Sequence, residues 1–302
     1  MSHNEPASSA QPIVGDHHAW PATHRGSQPF TPYGVSLQPG ELLTQTWRVW
    51  RSEAWRFVGV TALPYGVALV AAVVLFVAMA VAVGDITNLD NLAMSGPLLG
   101  LIVGGGGGLL ITASLLIIAA TAGTYHAAEE CLRQEKRTDG VVATLLVGLS
   151  SLVRLVGLYL VSSVTVVVLV APAVFMITWA ISGESWALGG VGVLLGFGAL
   201  VASVVLGMRF FLLAGPVIVA EDVGIVAALQ RSAELSRGRV VDLFVACLVM
   251  GAVAFGINMV SSALVVLPIV GLIGQLAVTV ALASLQGIFL FLLYAGARDL
   301  EG

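Results

Sequence analysis

The chain has 302 residues, of which 58% are hydrophobic and only 10% are charged, and its net charge is −4 at neutral pH. A mean hydropathy of +0.99 excludes a soluble domain, because a water-exposed surface needs far more polar side chains. The 13 basic residues are too dispersed to form a phosphate-binding face, so we expect no nucleic-acid partner. Composition therefore predicts a polytopic membrane protein.

The first part of the chain, residues 1–38, differs from the rest. It is rich in Pro, Ser, Gly and His and lacks any hydrophobic periodicity, which predicts a disordered polar tail. His17, His18 and His24 suggest a metal, but no Cys or carboxylate stands at ligand spacing, so solvated side chains are the better interpretation. We expect no metal and no cofactor.

Residues 39–302 form the predicted membrane domain. They contain six apolar runs, each long enough to supply the roughly 20 helical residues that cross a hydrocarbon core. Runs this continuous exclude barrel strands, which alternate polar and apolar side chains over about 10 residues. The predicted fold class is all-α, with transmembrane helices at 57–83, 98–124, 154–181, 188–214, 240–267 and 270–296.

The basic residues predict the orientation of these spans. After the tail, every Lys and Arg falls on one side of the six predicted spans. The charged residues of the opposite loops are Asp85, Asp90 and Glu184, all acidic. The positive-inside rule makes the basic side cytoplasmic. We therefore expect a multi-pass protein of the bacterial inner membrane with both termini in the cytoplasm.

Apolar residues at helical spacing precede the first, third and fifth spans. The spacing predicts three amphipathic helices that lie on the cytoplasmic membrane surface. When these segments are overlaid, Arg56, Arg154 and Arg239 fall at the same point before a span, which suggests a three-fold internal repeat. The segments are 39–57, 140–157 and 228–239.

The third of these helices carries most of the predicted contacts. Glu221 or Asp222 is predicted to cap its start, and Gly238 to end it. Glu221 has Arg209 or Arg231 as a predicted partner, and we interpret Arg209 and Glu221 as a structural clamp that holds the surface helix.

Other surface residues are assigned by residue type. Trp47 and Trp50 are candidate contacts with a protein partner. The basic residues of the three surface segments are candidate contacts with anionic lipid headgroups: Arg48, Arg51, Arg56, Arg154, Arg231, Arg237 and Arg239.

One motif carries a family resemblance. Three stretches of the chain resemble a known membrane domain. They are PGELLTQTWRVWRSEAWRF before the first span, Pro216 and Glu221 with the A-L-x-R-S-x-x-L-x-R-G-R pattern at 228–239, and the final LLYAGARDLEG. That domain is attached to some bacterial glycerophosphoryl diester phosphodiesterases and also occurs as stand-alone proteins. The resemblance covers residues 39–302 and implies a helical membrane domain of about six spans, with no established activity of its own.

The sequence favours a protein without catalysis. His24-Arg25-Gly26 matches the catalytic tripeptide of those phosphodiesterases, but only a short tail surrounds it and the barrel of roughly 250 residues is absent. The spans carry no His-Glu-x-x-His motif and no Ser/His/Asp set at one depth. His126, Glu129 and Glu130 near the end of the second span are expected to be solvated, so we expect no catalytic residues.

Two functions remain open from sequence. The first is a non-catalytic accessory or scaffold subunit of a membrane complex. The second is a lipid-handling or transport protein for a hydrophobic cargo, because ion-coupled transport needs charged groups at depth that are missing here. Gly192 and Gly196 predict close helix packing, and Pro64 and Pro172 predict kinks.

Overall fold

A computed structural model describes residues 33–84, 104–105, 107–133, 140–182, 186–263 and 268–301. These described residues form ten α-helices and no strand. Six of the helices are long and apolar enough to cross a membrane, which confirms the predicted all-α fold class and the number of candidate spans. Several predictions fall outside the described residues: most of the tail with His17, His18 and His24, the acidic residues Asp85, Asp90 and Glu184, and the span ends 98–103 and 264–267.

The helices fall into two length classes. The long ones are α2 (Ala54–Gly84), α3 (Gly107–Arg133), α5 (Leu152–Ser182), α6 (Trp186–Leu206), α9 (Val240–Ser262) and α10 (Pro268–Asp299). The short ones are α1 (Pro39–Ser52), α4 (Val141–Ser150), α7 (Ala214–Glu221) and α8 (Ile225–Leu235). Pro64 and Pro172 lie inside α2 and α5.

The fourth apolar segment is longer than its sequence prediction. It runs over Gly189–Glu221 and comprises most of α6, a π-helical turn at Gly207–Phe211, and α7. The short helix α7 is buried over nearly its whole length and packs against α3, α5, α8 and α10. The predicted span 188–214 therefore missed a separate helix that lies in the interior of the protein.

The ends of α7 and α8 correct the predicted caps. Asp222 ends α7 in the left-handed conformation, at φ 51°, which Asp tolerates better than most residues. Gly224 is the N-cap of α8, and no side chain caps that end. Ser236 follows the last helical residue, and Gly238 lies in the turn beyond it at φ 77°.

The core surrounds the second half of α10. Phe289 is 2% exposed, and every residue from Phe291 to Ala297 is buried. These side chains contact α1, α2, α3, α7, α8 and α9, so α10 is the central helix of the bundle. Such a buried helix needs small or apolar side chains on all faces, as the sequence of α10 provides.

The α5 and α6 helices form a hairpin that projects from this core. Only 6% of the apolar window of α5 and 11% of that of the α6 segment are buried, against 50% for α10. Gly192 explains how the two helices approach: an added Cβ would lie 2.8 Å from Ile177 Cγ1. The predicted close packing at Gly192 is confirmed.

An extended segment at residues 33–38 closes the end of α10. The Asp299 carboxylate accepts hydrogen bonds from the backbone N–H groups of Tyr33, at 2.8 Å, and Val35, at 3.0 Å. Gly296 permits the contact, because an added Cβ would lie 3.2 Å from the Val35 carbonyl oxygen. The boundary of the predicted tail at residue 38 is corrected, since residues 33–38 pack against the bundle.

Candidate functional site

Arg56, in the first turn of α2, joins three helices. Its guanidinium donates to Glu130 Oε2 of α3 at 2.5 Å and to Thr144 Oγ1 of α4 at 2.9 Å. A further hydrogen bond of 3.3 Å reaches Glu53 Oε2, between α1 and α2. Arg56 is only 9% exposed, and a buried charge needs such partners. The predicted contact of Arg56 with lipid headgroups is corrected: its carboxylate partners belong to the protein itself.

Arg154, in the first turn of α5, contacts the turn between α7 and α8. Its guanidinium lies 2.6 Å from Asp222 Oδ1 and donates to the Val223 carbonyl oxygen at 3.3 Å. The left-handed backbone of Asp222 makes the turn that presents both acceptors. Arg154 was also predicted to contact headgroups; its side chain is 32% exposed, and that contact stays a prediction beside the intramolecular one.

Arg239, just before α9, binds the end of α10. It donates to the carbonyl oxygens of Ala297 at 2.8 Å and Leu300 at 3.0 Å. A cation is favourable there, because the last carbonyls of a helix have no partner inside the helix and carry partial negative charge. The predicted headgroup contact of Arg239 stays a prediction beside these two intramolecular hydrogen bonds.

Arg231 of α8 lies among three carboxylates. Its guanidinium is 2.6 Å from Glu301 Oε2, 3.3 Å from Glu234 Oε2 and 3.7 Å from Glu221 Oε1. Burial alone lowers the pKa of Arg231, but the carboxylates raise it by more, so the net direction is upward and the cation persists. Glu221 also accepts a hydrogen bond of 2.9 Å from the Tyr294 hydroxyl. These contacts join α7, α8 and α10.

The predicted clamp between Arg209 and Glu221 is corrected, because Glu221 pairs with a different arginine. Among the described residues Glu221 pairs with Arg231, whereas the Arg209 guanidinium lies 5.5 Å from the ring centre of Phe210. Arg209 acts instead through its main chain, because its carbonyl oxygen accepts hydrogen bonds from Ser232 and Ser236 of the α8 region. Both serines are fully buried, which their residue type does not indicate.

The acidic end of α3 is less solvated than its sequence suggests. Glu129 is 2% exposed, and its carboxylate lies 2.8 Å from Arg133. His126 Nε2 is 3.2 Å from Glu130 Oε1, and both side chains are 12% exposed. The expectation that solvent reaches these groups is therefore corrected. Within the described residues no group of three or more His, Cys, Asp or Glu side chains could hold a metal ion.

Helix α1 presents an aromatic and basic outer face. Trp50 is held inside, because its Nε1 donates to Ser284 Oγ of α10 at 2.9 Å. Trp47 stacks on Trp50, with ring centres 5.1 Å apart, yet is 52% exposed. Arg48 and Arg51 are exposed as well. Of the two predicted partner contacts, Trp47 is exposed and Trp50 is partly buried. We name Trp47, Arg48 and Arg51 the α1 outer face.

A cavity of about 370 Å³ lies between α3, α5, the π-helical turn and α7. Its polar lining consists of Tyr125, Tyr159 and Ser162, and Gly207 and Gly215 form part of the wall. A second groove, of about 280 Å³, lies between α3 and α5 and adjoins the cavity at Tyr159. Sequence reasoning missed both, because they arise only when α3, α5 and α7 pack together.

No protein-family model, curated protein or solved structure matches this chain. The family resemblance based on the 228–239 motif therefore stays a prediction. Geometry alone supports the assignments that follow.

The exposed and the internal arginines are expected to behave differently towards anionic lipid. Arg48, Arg51 and Arg237 are exposed, and a basic side chain near a charged membrane surface contributes about 1 kcal/mol. We expect the triple replacement of these three by Gln to lower the ratio of anionic to zwitterionic lipid that purifies with the protein.

Arg154→Gln is the matched control, because it removes one cation whose partner is Asp222. It is expected to lower the thermal stability and to leave the lipid ratio unchanged. Native mass spectrometry of protein from mixed-lipid nanodiscs measures the ratio. An unchanged ratio in the triple variant would contradict the assignment of headgroup contacts.

Proposed function

We propose that this chain is a non-catalytic integral membrane protein that acts as an accessory or scaffold subunit of a membrane complex. The proposal places it in the bacterial inner membrane with both termini in the cytoplasm. Support for this orientation comes from the basic residues, all of which follow the positive-inside rule after the tail.

The proposal includes three amphipathic helices on the cytoplasmic membrane surface, namely α1, α4 and α8. Burial in α8 supports it: Ala228, Ser232 and Leu235 are buried, whereas Glu234 is exposed. It also includes a three-fold repeat of one surface helix followed by two spans, and membership of the phosphodiesterase-associated membrane-domain family. The equivalent positions of Arg56, Arg154 and Arg239 support the repeat, although their partners differ in chemistry.

The α1 outer face is the observation that carries the scaffold function. Trp47 is more than half exposed although its neighbour Trp50 is anchored to α10, so the helix holds Trp47 in a fixed position. Arg48 and Arg51 make no ion pair with the described residues. Trp and Arg are the residue types most enriched at the energetic centres of protein interfaces. A rigidly mounted Trp beside two available Arg side chains suits a protein partner with an acidic, aromatic-accepting surface.

Replacing Trp47 with Ala and Arg51 with Glu is expected to release the partner from the complex. Residues at the centre of an interface contribute about 2 kcal/mol or more, which corresponds to a loss of affinity of about 30-fold. The measurement is the amount of co-purified protein per tagged chain in a mild detergent, read by native mass spectrometry.

Trp179→Ala is the matched control, because Trp179 is 57% exposed but lies on the α5 part of the projecting hairpin. It is expected to leave the partner bound. A wild-type protein that carries no stoichiometric partner, or a variant that keeps its partner in full, would contradict the scaffold function.

A second candidate function is lipid handling, and the cavity between α3, α5 and α7 favours it. The cavity combines an apolar wall with hydroxyl groups, and it adjoins a groove along two membrane-crossing helices. Ligand sites commonly have this composition, with a mostly apolar lining and a few placed polar groups.

A further inference from the structure

Tyr125 lines the cavity and brings a hydroxyl group to it. The residue is 3% exposed, and its hydroxyl makes no hydrogen bond with any described residue. Its ring lies against Gly215 of α7, where an added Cβ would be 3.4 Å from Cε2 and 3.6 Å from the hydroxyl oxygen. A hydroxyl without a protein partner at the wall of a mostly apolar cavity can donate to an acceptor inside that cavity.

Two further hydroxyls line the same cavity from α5. Tyr159 and Ser162 are three residues apart and therefore lie on one face of the helix. Neither hydroxyl makes a hydrogen bond within the described residues. Three hydroxyl-bearing side chains thus line one cavity, and no charged side chain is among the lining residues.

The π-helical turn at Gly207–Phe211 also lines the cavity, through Gly207, Met208 and Phe211. A π-turn widens the helix and is often found at functional sites. Gly207 leaves room there, because an added Cβ would meet no atom within 4 Å.

The cavity continues into a groove long enough for an acyl chain. Ile111 and Tyr125, at the two ends, are about 21 Å apart along the axis of α3 at a rise of 1.5 Å per residue. One leaflet of the hydrocarbon core measures about 15 Å, half of its thickness. Ile111 is 64% exposed and Leu160 61%, so the groove is open towards the side of the bundle.

In the proposed membrane orientation, Tyr125 lies near the boundary between the hydrocarbon core and the headgroups. Tyr125 lies about one helical turn before Glu129 and Glu130, where charged side chains begin in α3. Lipid esters occupy the corresponding boundary between hydrocarbon and headgroups.

We infer that this cavity binds the acyl-ester end of a membrane glycerolipid. One chain lies in the groove between α3 and α5, and its ester carbonyl accepts a hydrogen bond from the Tyr125 hydroxyl, with Tyr159 or Ser162 as donor to a second ester. The lining offers donors and no cation, so it suits a neutral ester and not a carboxylate or phosphate. The inference rests on the lipid-handling candidate and is independent of the scaffold function.

The test compares two lipids that differ only in the proposed acceptor. The full chain is reconstituted in nanodiscs of a dioleoyl phospholipid mixed with its dioleyl ether analogue, which lacks the ester carbonyls. After transfer to mild detergent, native mass spectrometry counts the ester and ether lipids retained per protein. We expect the wild type to retain the ester lipid over the ether lipid by about fivefold, the value for one hydrogen bond.

Three variants locate the lipid. Tyr125→Phe keeps the ring volume and is expected to lose the preference for the ester. Gly207→Phe fills the cavity and is expected to lower the retention of both lipids and to lose the preference for the ester. Tyr65→Phe removes a hydroxyl of α2, which does not line the cavity, and is expected to behave as the wild type.

The outcomes separate the site from the function. A wild type that retains no lipid overturns both the lipid-handling candidate and this site. If the wild type retains lipid but shows no ester preference, or if Tyr125→Phe keeps that preference, the inference is overturned while lipid handling stands. Should Gly207→Phe fail to fold, Tyr125→Phe still decides, because the loss of one hydroxyl preserves the packing.

Discussion

Replacement of Arg56 with Met is expected to lower the free energy of unfolding by about 3 to 5 kcal/mol, the range for breaking a buried ion pair by removing one partner. The Glu53 and Glu130 side chains, 4% and 12% exposed, share this guanidinium. Without it, their charge stays in a protein interior that cannot solvate it. The measurement is thermal unfolding of the purified protein in a mild detergent.

Arg48→Met is the matched control, because the Arg48 side chain is exposed and a surface substitution usually changes stability by no more than about 0.5 kcal/mol. Adding Glu130→Gln to Arg56→Met is expected to restore part of the loss, since a neutral amide does not require a cation. Two results would contradict a stabilising role for the contacts of Arg56. One is equal destabilisation by Arg48→Met and Arg56→Met, and the other is strictly additive effects of the Arg56 and Glu130 changes.

The six spans could be predicted because length and apolar content are local properties of the sequence. The C-terminal end of the second predicted span shows the limit of that reasoning. The prediction ended the span at residue 124, shortly before Glu129, Glu130 and Arg133, whereas α3 continues to Arg133. Charged residues can stay in the helix because they pair within the protein: Glu129 with Arg133 along α3 and Glu130 with Arg56 across helices.

The basic side chains show a second limit. Spacing predicted that Arg154 and Arg231 lie at the membrane surface but gave no information about which acceptor each would face. Their partners Asp222 and Glu301 are distant in sequence and become neighbours only through the packing of α5, α8 and α10. A headgroup and an internal carboxylate offer the same chemistry to a guanidinium, so residue type alone could not distinguish them.

The cavity could not be predicted from sequence for the same reason, because its lining residues meet only through helix packing. Tyr125 and Tyr159 each look like ordinary residues of an apolar helix, and neither belongs to a motif. Their shared environment depends on the buried helix α7, which the prediction treated as the end of a span and its loop.

Replacement of Gly148 with Val is expected to separate α4 from α3 and to cost about 3 kcal/mol, the upper end for overpacking a close contact. A Cβ at Gly148 would collide with the Ala119 carbonyl oxygen and lie 2.9 Å from the Gly123 backbone nitrogen. Both atoms belong to the main chain of α3 and cannot rotate away as a side chain would. Thermal unfolding measures the loss, and hydrogen exchange in α4 is expected to accelerate.

Gly251→Val in α9 is the control, because an added Cβ there meets no atom within 4 Å, and it is expected to change stability by no more than about 0.5 kcal/mol. The two destabilising changes should also be coupled. Thr144 of α4 accepts two hydrogen bonds from Arg56. Because Gly148→Val displaces α4, it weakens these hydrogen bonds, which Arg56→Met also removes. The double variant is therefore expected to lose less stability than the two single variants together. Full additivity would mean that α4 is held against α3 independently of the buried arginine.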